Sequence, residues 1–191
     1  YKRQPYACDL GADGTALVGT RTNPPPYASA PPTPSLVHRI TRSGEQTSHT
    51  LPFDSLSGVG LSPDGTTLAV VGSGKDQKPR LLSAADLTAA PTVLKKGNRA
   101  GRMQRVHWAT AGQRLLTLAR KSDRSPSYSV GVRDIGGKKL RWYGLADSAH
   151  LLAGERLVTW SRTEGVQLWS LDGTAPAATR KLPGVCSHPD R

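Results

Sequence analysis

The sequence is poor in several residue types, and each shortage excludes a class of protein. Its 191 residues include two cysteines, one methionine and one phenylalanine. Two cysteines are too few for a dense disulfide framework or for a thiolate zinc site. No apolar run approaches the roughly 20 residues of a membrane-spanning helix, so we predict no transmembrane segment in this chain. The nucleophile turn Gly-x-Ser-x-Gly and a phosphate-binding loop are also missing, so we predict neither a catalytic motif nor a cofactor.

Acidic residues are scarce compared with basic ones. The chain has 26 lysines and arginines against 14 aspartates and glutamates, for a formal net charge of +12. Such a balance favours an anionic partner, which includes an acidic protein face, a polyanionic polymer or surface, and nucleic acid. A GC-rich genome produces the same arginine bias, so charge alone does not choose among them.

One pattern occurs four times: a short apolar stretch, a turn that contains glycine, and a second apolar stretch. The turn glycines are Gly14, Gly65, Gly112 and Gly154, at intervals of 51, 47 and 42 residues. Asp-Gly between two apolar runs favours a β-hairpin, because glycine adopts positive φ without a Cβ clash. Two further apolar stretches follow each hairpin, without helical periodicity. Each repeat therefore predicts four strands, which is typical of a β-propeller blade.

Two of the repeats carry motifs of a known family. Residues 61–70 read Leu-Ser-Pro-Asp-Gly-Thr-Thr-Leu-Ala-Val, which resembles the repeat of TolB-like and WD40-like propellers. Residues 166–173 read Val-Gln-Leu-Trp-Ser-Leu-Asp-Gly, which is similar to the third strand of WD40 blades. The third repeat departs from the pattern, with Ala109-Thr-Ala-Gly112 where the second has Ser-Pro-Asp-Gly. The resemblance implies a fold and a binding role, and it implies no chemistry.

We therefore predict an all-β chain: one β-propeller domain over residues 1–191, with about four four-stranded blades. The expected blades span residues 7–53, 54–101, 102–144 and 145–184, followed by a tail at 185–191. The tryptophans fall on predicted strands among apolar neighbours, so we expect them to pack between sheets. They are Trp108, Trp142, Trp160 and Trp169.

Basic residues concentrate on one predicted rim of the propeller. This rim is formed by the loops between blades and by the loops between the second and third strands of each blade. Arginine forks on such a rim suit carboxylate or phosphate groups. We therefore predict a non-catalytic binding or scaffold module whose partner is a protein or an anionic polymer or surface. The predicted binding residues are Arg99, Arg102, Arg105, Arg120, Lys121 and Arg124.

Two other functions fit the same sequence. His107, His150 and Asp9 take equivalent places on predicted innermost strands, which makes them candidate ligands of a metal-dependent hydrolase or lyase in the central channel. The second repeat has Gly60 at that place, which offers no ligand, so we expect no metal. Bulk charge alternatively predicts non-specific nucleic-acid binding, but the chain lacks interleaved aromatic and basic residues.

Cys8 and Cys186 lie near the two ends of the sequence. If four blades close into a ring, the tail returns to the start of the first blade and brings Cys186 near Cys8. A disulfide there requires an oxidising compartment, so we predict an extracytoplasmic protein, secreted or held by an N-terminal anchor outside this sequence. Two alternatives stay open: the blades are a fragment of a larger propeller, or two copies of the chain assemble into one with eight blades.

Intact mass before and after reduction tests the Cys8–Cys186 pair. We expect the unreduced chain to weigh two hydrogens less than the reduced chain, and peptide mapping to join the two cysteines. A closed loop this long stabilises a fold by roughly 5 kcal/mol in the chain-entropy estimate, so Cys8→Ser should lower the melting temperature. Two free thiols in unreduced protein would contradict both the pairing and the inferred compartment.

Overall fold

Strands account for all the regular structure of the described residues. In the computed structural model, these are residues 3–11, 13–22, 34–73, 77–95, 102–109, 111–120, 127–136, 140–172 and 176–180. They form sixteen strands in four antiparallel sheets of four, and no helix within these ranges. The order of the strands in every sheet follows the chain. The predicted all-β class and the four four-stranded blades are therefore confirmed.

Each sheet is one blade, and we number the blades 1 to 4 along the chain. Blade 1 contains β1 (Arg3–Leu10), β2 (Ala16–Thr22), β3 (Leu36–Ile40) and β4 (Gln46–Thr50). Blade 2 contains β5 (Ser55–Leu61), β6 (Thr67–Ser73), β7 (Arg80–Ser83) and β8 (Thr92–Val93). Blade 3 contains β9 (Arg102–Trp108), β10 (Arg114–Arg120), β11 (Tyr128–Asp134) and β12 (Leu140–Ala146). Blade 4 contains β13 (Ser148–Leu152), β14 (Arg156–Ser161), β15 (Gly165–Ser170) and β16 (Pro176–Arg180).

The glycine of each first hairpin adopts the left-handed backbone conformation that the repeat predicts. Its φ is +81° at Gly14, +72° at Gly65, +70° at Gly112 and +72° at Gly154. In the second blade, the Ser62 hydroxyl and the Thr66 N–H donate to the Asp64 carboxylate, and these bonds lower the pKa of Asp64. The third blade keeps the turn without this aspartate, because the steric requirement falls on the glycine alone.

Three buried apolar clusters join the blades in chain order. The first cluster packs Leu17 and Val37 of blade 1 against Leu56, Val59, Leu68, Val70 and Leu82 of blade 2. The second packs Ala69, Val71 and Leu81 of blade 2 against Met103, Val106 and Leu115 of blade 3. The third packs Leu116, Leu118, Val130 and Val132 of blade 3 against Ala149 and Leu157 of blade 4. Because successive side chains of a strand point to opposite faces, β6 and β10 contribute to a cluster on each side.

The first strands of consecutive blades lie side by side, and polar contacts between them add to the apolar packing. The Leu61 N–H of blade 2 donates to the Asp9 carboxylate of blade 1 at 2.7 Å. The Trp108 indole N–H of blade 3 donates to the Gly60 carbonyl of blade 2, also at 2.7 Å. A β-carbon at Gly60 would lie only 3.1 Å from the Val106 carbonyl oxygen, so a small residue is needed for this approach.

Blades 3 and 4 are also joined by charge at one end of the sheets. Arg114 of β10 pairs with Asp134 of its own blade, and with Glu155 and Asp172 of blade 4. The Tyr143 hydroxyl donates to the Leu171 carbonyl at 2.7 Å. These contacts connect the sheets of blades 3 and 4 through charged and polar groups.

Three of the four tryptophans pack between sheets as predicted. Trp108 and Trp142 lie against the cluster between blades 2 and 3, and Trp169 lies against the cluster between blades 3 and 4. Trp160 differs, because it is half-buried on the face of blade 4 that points away from blade 3.

Since the described residues form no helix, none of them forms a membrane-spanning helix.

Leu116→Ala tests whether packing between blades holds the fold together. Leu116 is fully buried, so its truncation should lower the free energy of unfolding by about 3 kcal/mol. The matched control is Leu145→Ala on β12, because that side chain is 67% exposed and should contribute little. Urea denaturation of both variants gives the comparison, and equal losses would contradict the packing described here.

Candidate functional site

A cavity of about 520 Å³ opens beside the first strands of blades 2 and 3. Its wall is made by residues 57–59 of β5, residues 104–107 of β9, Arg120 at the end of β10 and Tyr128 at the start of β11. Gly58 lets the strands approach closely, because a β-carbon there would lie 3.2 Å from the Arg105 Cα. We call these wall residues the basic cleft.

Three of the predicted rim residues lie at this end of blade 3. Arg102 and Arg120 are register partners across β9 and β10, and Arg105 is opposite Leu118. The register shifts between Leu118 and Ala119, as it does at the equivalent places of blades 1 and 2, so the β-bulge is a repeated feature of the first hairpins. Of the three, Arg105 and Arg120 line the cleft.

Arg105 and Arg120 share one aromatic ring. The guanidinium carbon of Arg120 lies 4.4 Å from the Tyr128 ring centroid, and that of Arg105 lies 5.8 Å from it. Such contacts contribute roughly 0.5–2 kcal/mol each and restrict where the guanidinium groups point. Among the described residues, no carboxylate forms an ion pair with either arginine, and the buried Arg120 Nε has no acceptor. Two positive charges are thus held together without a described counter-ion.

His107 and His150, which take equivalent places in the repeats, lie close together in the structure. Their ring centroids are 6.4 Å apart, with the rings tilted by 37°. Asp9 takes the same register place in blade 1, but its carboxylate oxygens accept the main-chain N–H groups of Leu10 and Leu61. Within the described ranges, no group of three or more histidine, cysteine, aspartate or glutamate side chains is placed to hold a metal ion.

The other predicted site residues divide into one that is described and four that are not. Cys8 lies on β1 opposite Val18, and it is an exposed, free thiol among the described residues. Cys186, Arg99, Lys121 and Arg124 lie outside the described residues. The disulfide and half of the predicted rim therefore stay predictions.

Sequence reasoning missed Tyr128, Gln104 and Ser57. Tyr128 had a readable signal, because it begins the strand that follows Arg120, and the ends of two hairpin strands lie close together. Gln104 and Ser57 are polar residues on first strands, and nothing in the sequence distinguishes them from other polar strand residues.

The titration of His107 reports the electrostatics of the cleft. Although its ring keeps contact with solvent, burial among protein atoms lowers its pKa below 6.5, and His150 and Arg105 lower it further. The negative charge of Asp9 raises the His107 pKa. Because the folded-state pKa is below the unfolded-state value, the unfolded chain binds the proton more readily. The fold should therefore lose stability as pH falls through about 6.5.

An NMR titration of the histidine rings tests this environment. We expect His107 to titrate below its ordinary value, and Arg105→Gln to raise its pKa because one positive neighbour is removed. Arg156→Gln, at an exposed arginine of β14, should leave the His107 pKa unchanged. A His107 that titrates at or above 6.5 in the wild-type chain would be inconsistent with the described cleft.

Comparisons with known proteins support the fold and do not assign a family. No protein-family model matches the sequence, and no curated protein sequence matches it. Hydrazine synthase of Kuenenia stuttgartiensis aligns with 93% of the chain at 13% identity and a TM-score of 0.63, over 49% of its own length. TolB of Acinetobacter baumannii aligns with 95% of the chain at 15% identity and a TM-score of 0.64, over 45% of its length. Dihydro-heme d1 dehydrogenase NirN aligns with 96% at 17% identity and a TM-score of 0.64, over 38% of its length.

These three solved structures are β-propeller proteins, so their likeness supports the propeller-like arrangement of the four blades. The chain spans less than half the length of each one. At this low identity the likeness shows the fold alone: four consecutive blades of a β-propeller.

Proposed function

We propose that this chain is a non-catalytic binding module that holds an acidic segment of a partner protein in the basic cleft. The observation that carries the proposal is the convergence of Arg105 and Arg120 on Tyr128, without a carboxylate partner among the described residues. A cleft with two held guanidinium groups and no described counter-ion favours an anion from outside.

The chemistry of the cleft suits carboxylates. A guanidinium group donates two parallel hydrogen bonds to a carboxylate, and stacking on Tyr128 already restricts its orientation before binding. The Gln104 amide and the Ser57 hydroxyl line the same cleft and supply neutral donors. A segment with two or more acidic side chains could therefore bind with both charged and neutral contacts.

A protein partner is favoured over nucleic acid by the aromatic content of the cleft. Proteins that bind single strands without sequence preference stack bases on exposed aromatic rings. Apart from the imidazole of His107, Tyr128 is the aromatic residue among the cleft residues, and it is 8% exposed and covered by the arginines. The ring therefore positions the guanidinium groups and is not open to a base.

The channel-enzyme alternative has weaker support. Its proposed carboxylate ligand, Asp9, accepts main-chain hydrogen bonds within and between blades, which is a structural role. His107 and His150 remain as two imidazoles without a described third ligand.

We also propose an extracytoplasmic location, which rests on the Cys8–Cys186 pairing inferred from the sequence.

Fluorescence anisotropy with a labelled hexaglutamate peptide tests the proposal. We expect the wild-type chain to bind at low salt, and Arg105→Gln and Arg120→Gln each to weaken binding about tenfold, because each loses a charge-assisted contact. Arg156→Gln is the matched control, since it removes an exposed arginine from a different blade. Circular dichroism and urea denaturation establish that the variants remain folded.

Three outcomes would overturn the proposal. Binding that is unchanged in both cleft variants would show that the cleft is not the site. Tighter binding of a single-stranded oligonucleotide than of the peptide, with a steep salt dependence, would favour nucleic acid. A stoichiometric metal ion in chelator-free protein would favour the channel enzyme.

A further inference from the structure

Another cavity, of about 240 Å³, lies between blades 1 and 2 at the end of the sheets that carries the first hairpin turns. This end is opposite to the one that holds the basic cleft. Blade 1 supplies Asp13, Thr15, Leu17 and Arg39 to the wall, and blade 2 supplies Leu61, residues 65–66 and residues 83–85. An open groove of about 550 Å³ adjoins the cavity and shares Asp13, Thr15 and Arg39 with it. We call the cavity of 240 Å³ the Arg39 pocket.

Arg39 departs from the repeat at a place where the other blades carry aliphatic residues. It is the register partner of Leu17, so it lies on the face of blade 1 that packs against blade 2. At the same place blade 2 has Leu81 and blade 3 has Val132, and both are buried against the following blade. Packing between the blades therefore does not explain a charged side chain at position 39.

The guanidinium group of Arg39 lies in the pocket without a direct partner. Within the described ranges, no acceptor bonds to it and no carboxylate forms an ion pair with it. The acid nearest to it in the pocket wall is Asp13, whose two oxygens accept the main-chain N–H and the hydroxyl of Thr15 at 2.9 Å. These bonds lower the pKa of Asp13, and the charge of Arg39 lowers it further. Arg39 is thus attracted by one ionised acid but keeps all its donors for another group.

The junction of blades 3 and 4 shows how the chain satisfies an arginine at this end of the sheets. Arg114 pairs there with the carboxylates of Asp134, Glu155 and Asp172. The cavity beside these groups has a volume of about 80 Å³. The Arg39 pocket is larger, and its arginine has no such set of carboxylates among the described residues. It therefore has both the room and the charge for an acid group from outside the chain.

The rest of the pocket wall is part polar and part apolar. The Ser83 hydroxyl accepts the Asp86 N–H at 3.1 Å, so its own hydrogen is available to a ligand. Leu17 is fully buried and Leu61 is half-buried, and they supply apolar surface beside Arg39. Such a wall, with a few polar groups on an apolar surface, is typical of small-molecule sites.

The charges around the pocket favour a ligand with one negative charge. Arg42 lines the adjoining groove, and its side chain is held against the hairpin turn, since a β-carbon at Gly14 would lie 3.6 Å from the Arg42 Cδ. Arg39 and Arg42 are positive, whereas Asp13 and the exposed Asp86 are negative. The second charge of a dianion would be repelled by these acids. A single carboxylate matches the two parallel hydrogen bonds that a guanidinium group donates.

We propose that the Arg39 pocket binds a small monocarboxylate, with its carboxylate on Arg39 and the Ser83 hydroxyl and its short aliphatic body against Leu17 and Leu61. Judged from the space that water molecules occupy, the pocket holds a ligand of roughly eight non-hydrogen atoms. This site lies at the other end of the sheets, so the proposal does not depend on the basic cleft.

An NMR titration with sodium butyrate tests the pocket. We expect millimolar butyrate to shift the Arg39 Nε–H signal and the main-chain N–H signals of Thr66 and Ser83, and to leave the signals of blade 4 unchanged. Butyramide has the same framework without the charge, so it should bind about tenfold more weakly or less. Inorganic phosphate should also bind more weakly than butyrate, because its second charge meets Asp13 and Asp86.

Two variants remove the site in different ways. Arg39→Leu introduces the residue that blade 2 has at this place, so it should keep the melting temperature of the wild-type chain and weaken butyrate binding about tenfold or more. Ala85→Phe leaves Arg39 in place and should obstruct the pocket, because Ala85 is an exposed residue of its wall. Arg156→Gln is the matched control, since it removes an exposed arginine from blade 4.

Three results would overturn the proposal. The first is butyrate that shifts no signal of the pocket. The second is unchanged butyrate binding in Arg39→Leu or in Ala85→Phe, and a lower melting temperature of Arg39→Leu with unchanged binding would assign Arg39 a structural role. The third is phosphate or butyramide that binds as tightly as butyrate, because the site would then not select a monocarboxylate.

Discussion

Each blade is a four-stranded sheet with two faces, and the second strands of blades 2 and 3 carry apolar side chains that need cover on both. The chain meets this requirement by stacking sheets side by side, so that the alternating side chains of one strand pack against two neighbours. Leu115 contacts the cluster towards blade 2, while Leu116, the next residue, contacts the cluster towards blade 4. The same requirement makes the first and last blades of any row different from the others, because each has one face without a neighbour. Val158 and Trp160 of blade 4 are half-buried, and they belong to no buried cluster of the described residues.

Close packing of the first strands follows from the stacking of the sheets and determines which residues those strands can carry. Where β5 passes β9, blade 2 has Gly58 and Gly60, and a β-carbon at either place would lie only 3.1–3.3 Å from main-chain atoms of blade 3. Polar groups are accepted there when their bonds cross to the next blade, as the bond from Leu61 N–H to Asp9 does. Gly58 also lines the basic cleft, so the close approach of β5 and β9 lies at the wall of the candidate site.

The sequence predicted the fold well because a repeat fold is specified by local patterns. The turn of each first hairpin requires a residue with positive φ. Gly112 therefore forms this turn in the third repeat, although the residues before it differ from those of the second repeat. The strands after each hairpin, such as β3 over Leu36–Ile40, were readable from apolar alternation. The site was less readable because its members come from four different strands. Arg105 and Arg120 were recognisable as rim charges, but their common contact with Tyr128 depends on the bulge in β9 and on the end of a hairpin. The ion pairs of Arg114 could not be predicted for the same reason, because its carboxylate partners come from two blades.

In a repeat protein, a residue type that recurs at equivalent positions of successive blades indicates a structural role. A residue that differs from its equivalents in the other blades, without a packing reason, indicates a functional role. His107 and His150 occupy equal places, and so do Asp9 and Gly60, which shows that this place accepts several residue types where first strands meet. Arg105 instead stands where blade 2 has Gly58 and blade 4 has Ser148, and stacking of the sheets does not require a long charged side chain there. Arg105 is exposed and Arg120 is half-buried, and two like charges held on one ring repel each other unless an opposite charge arrives. The chain keeps both arginines on one tyrosine without a described carboxylate, and this departure from the repeat is the strongest argument that the cleft binds an anion.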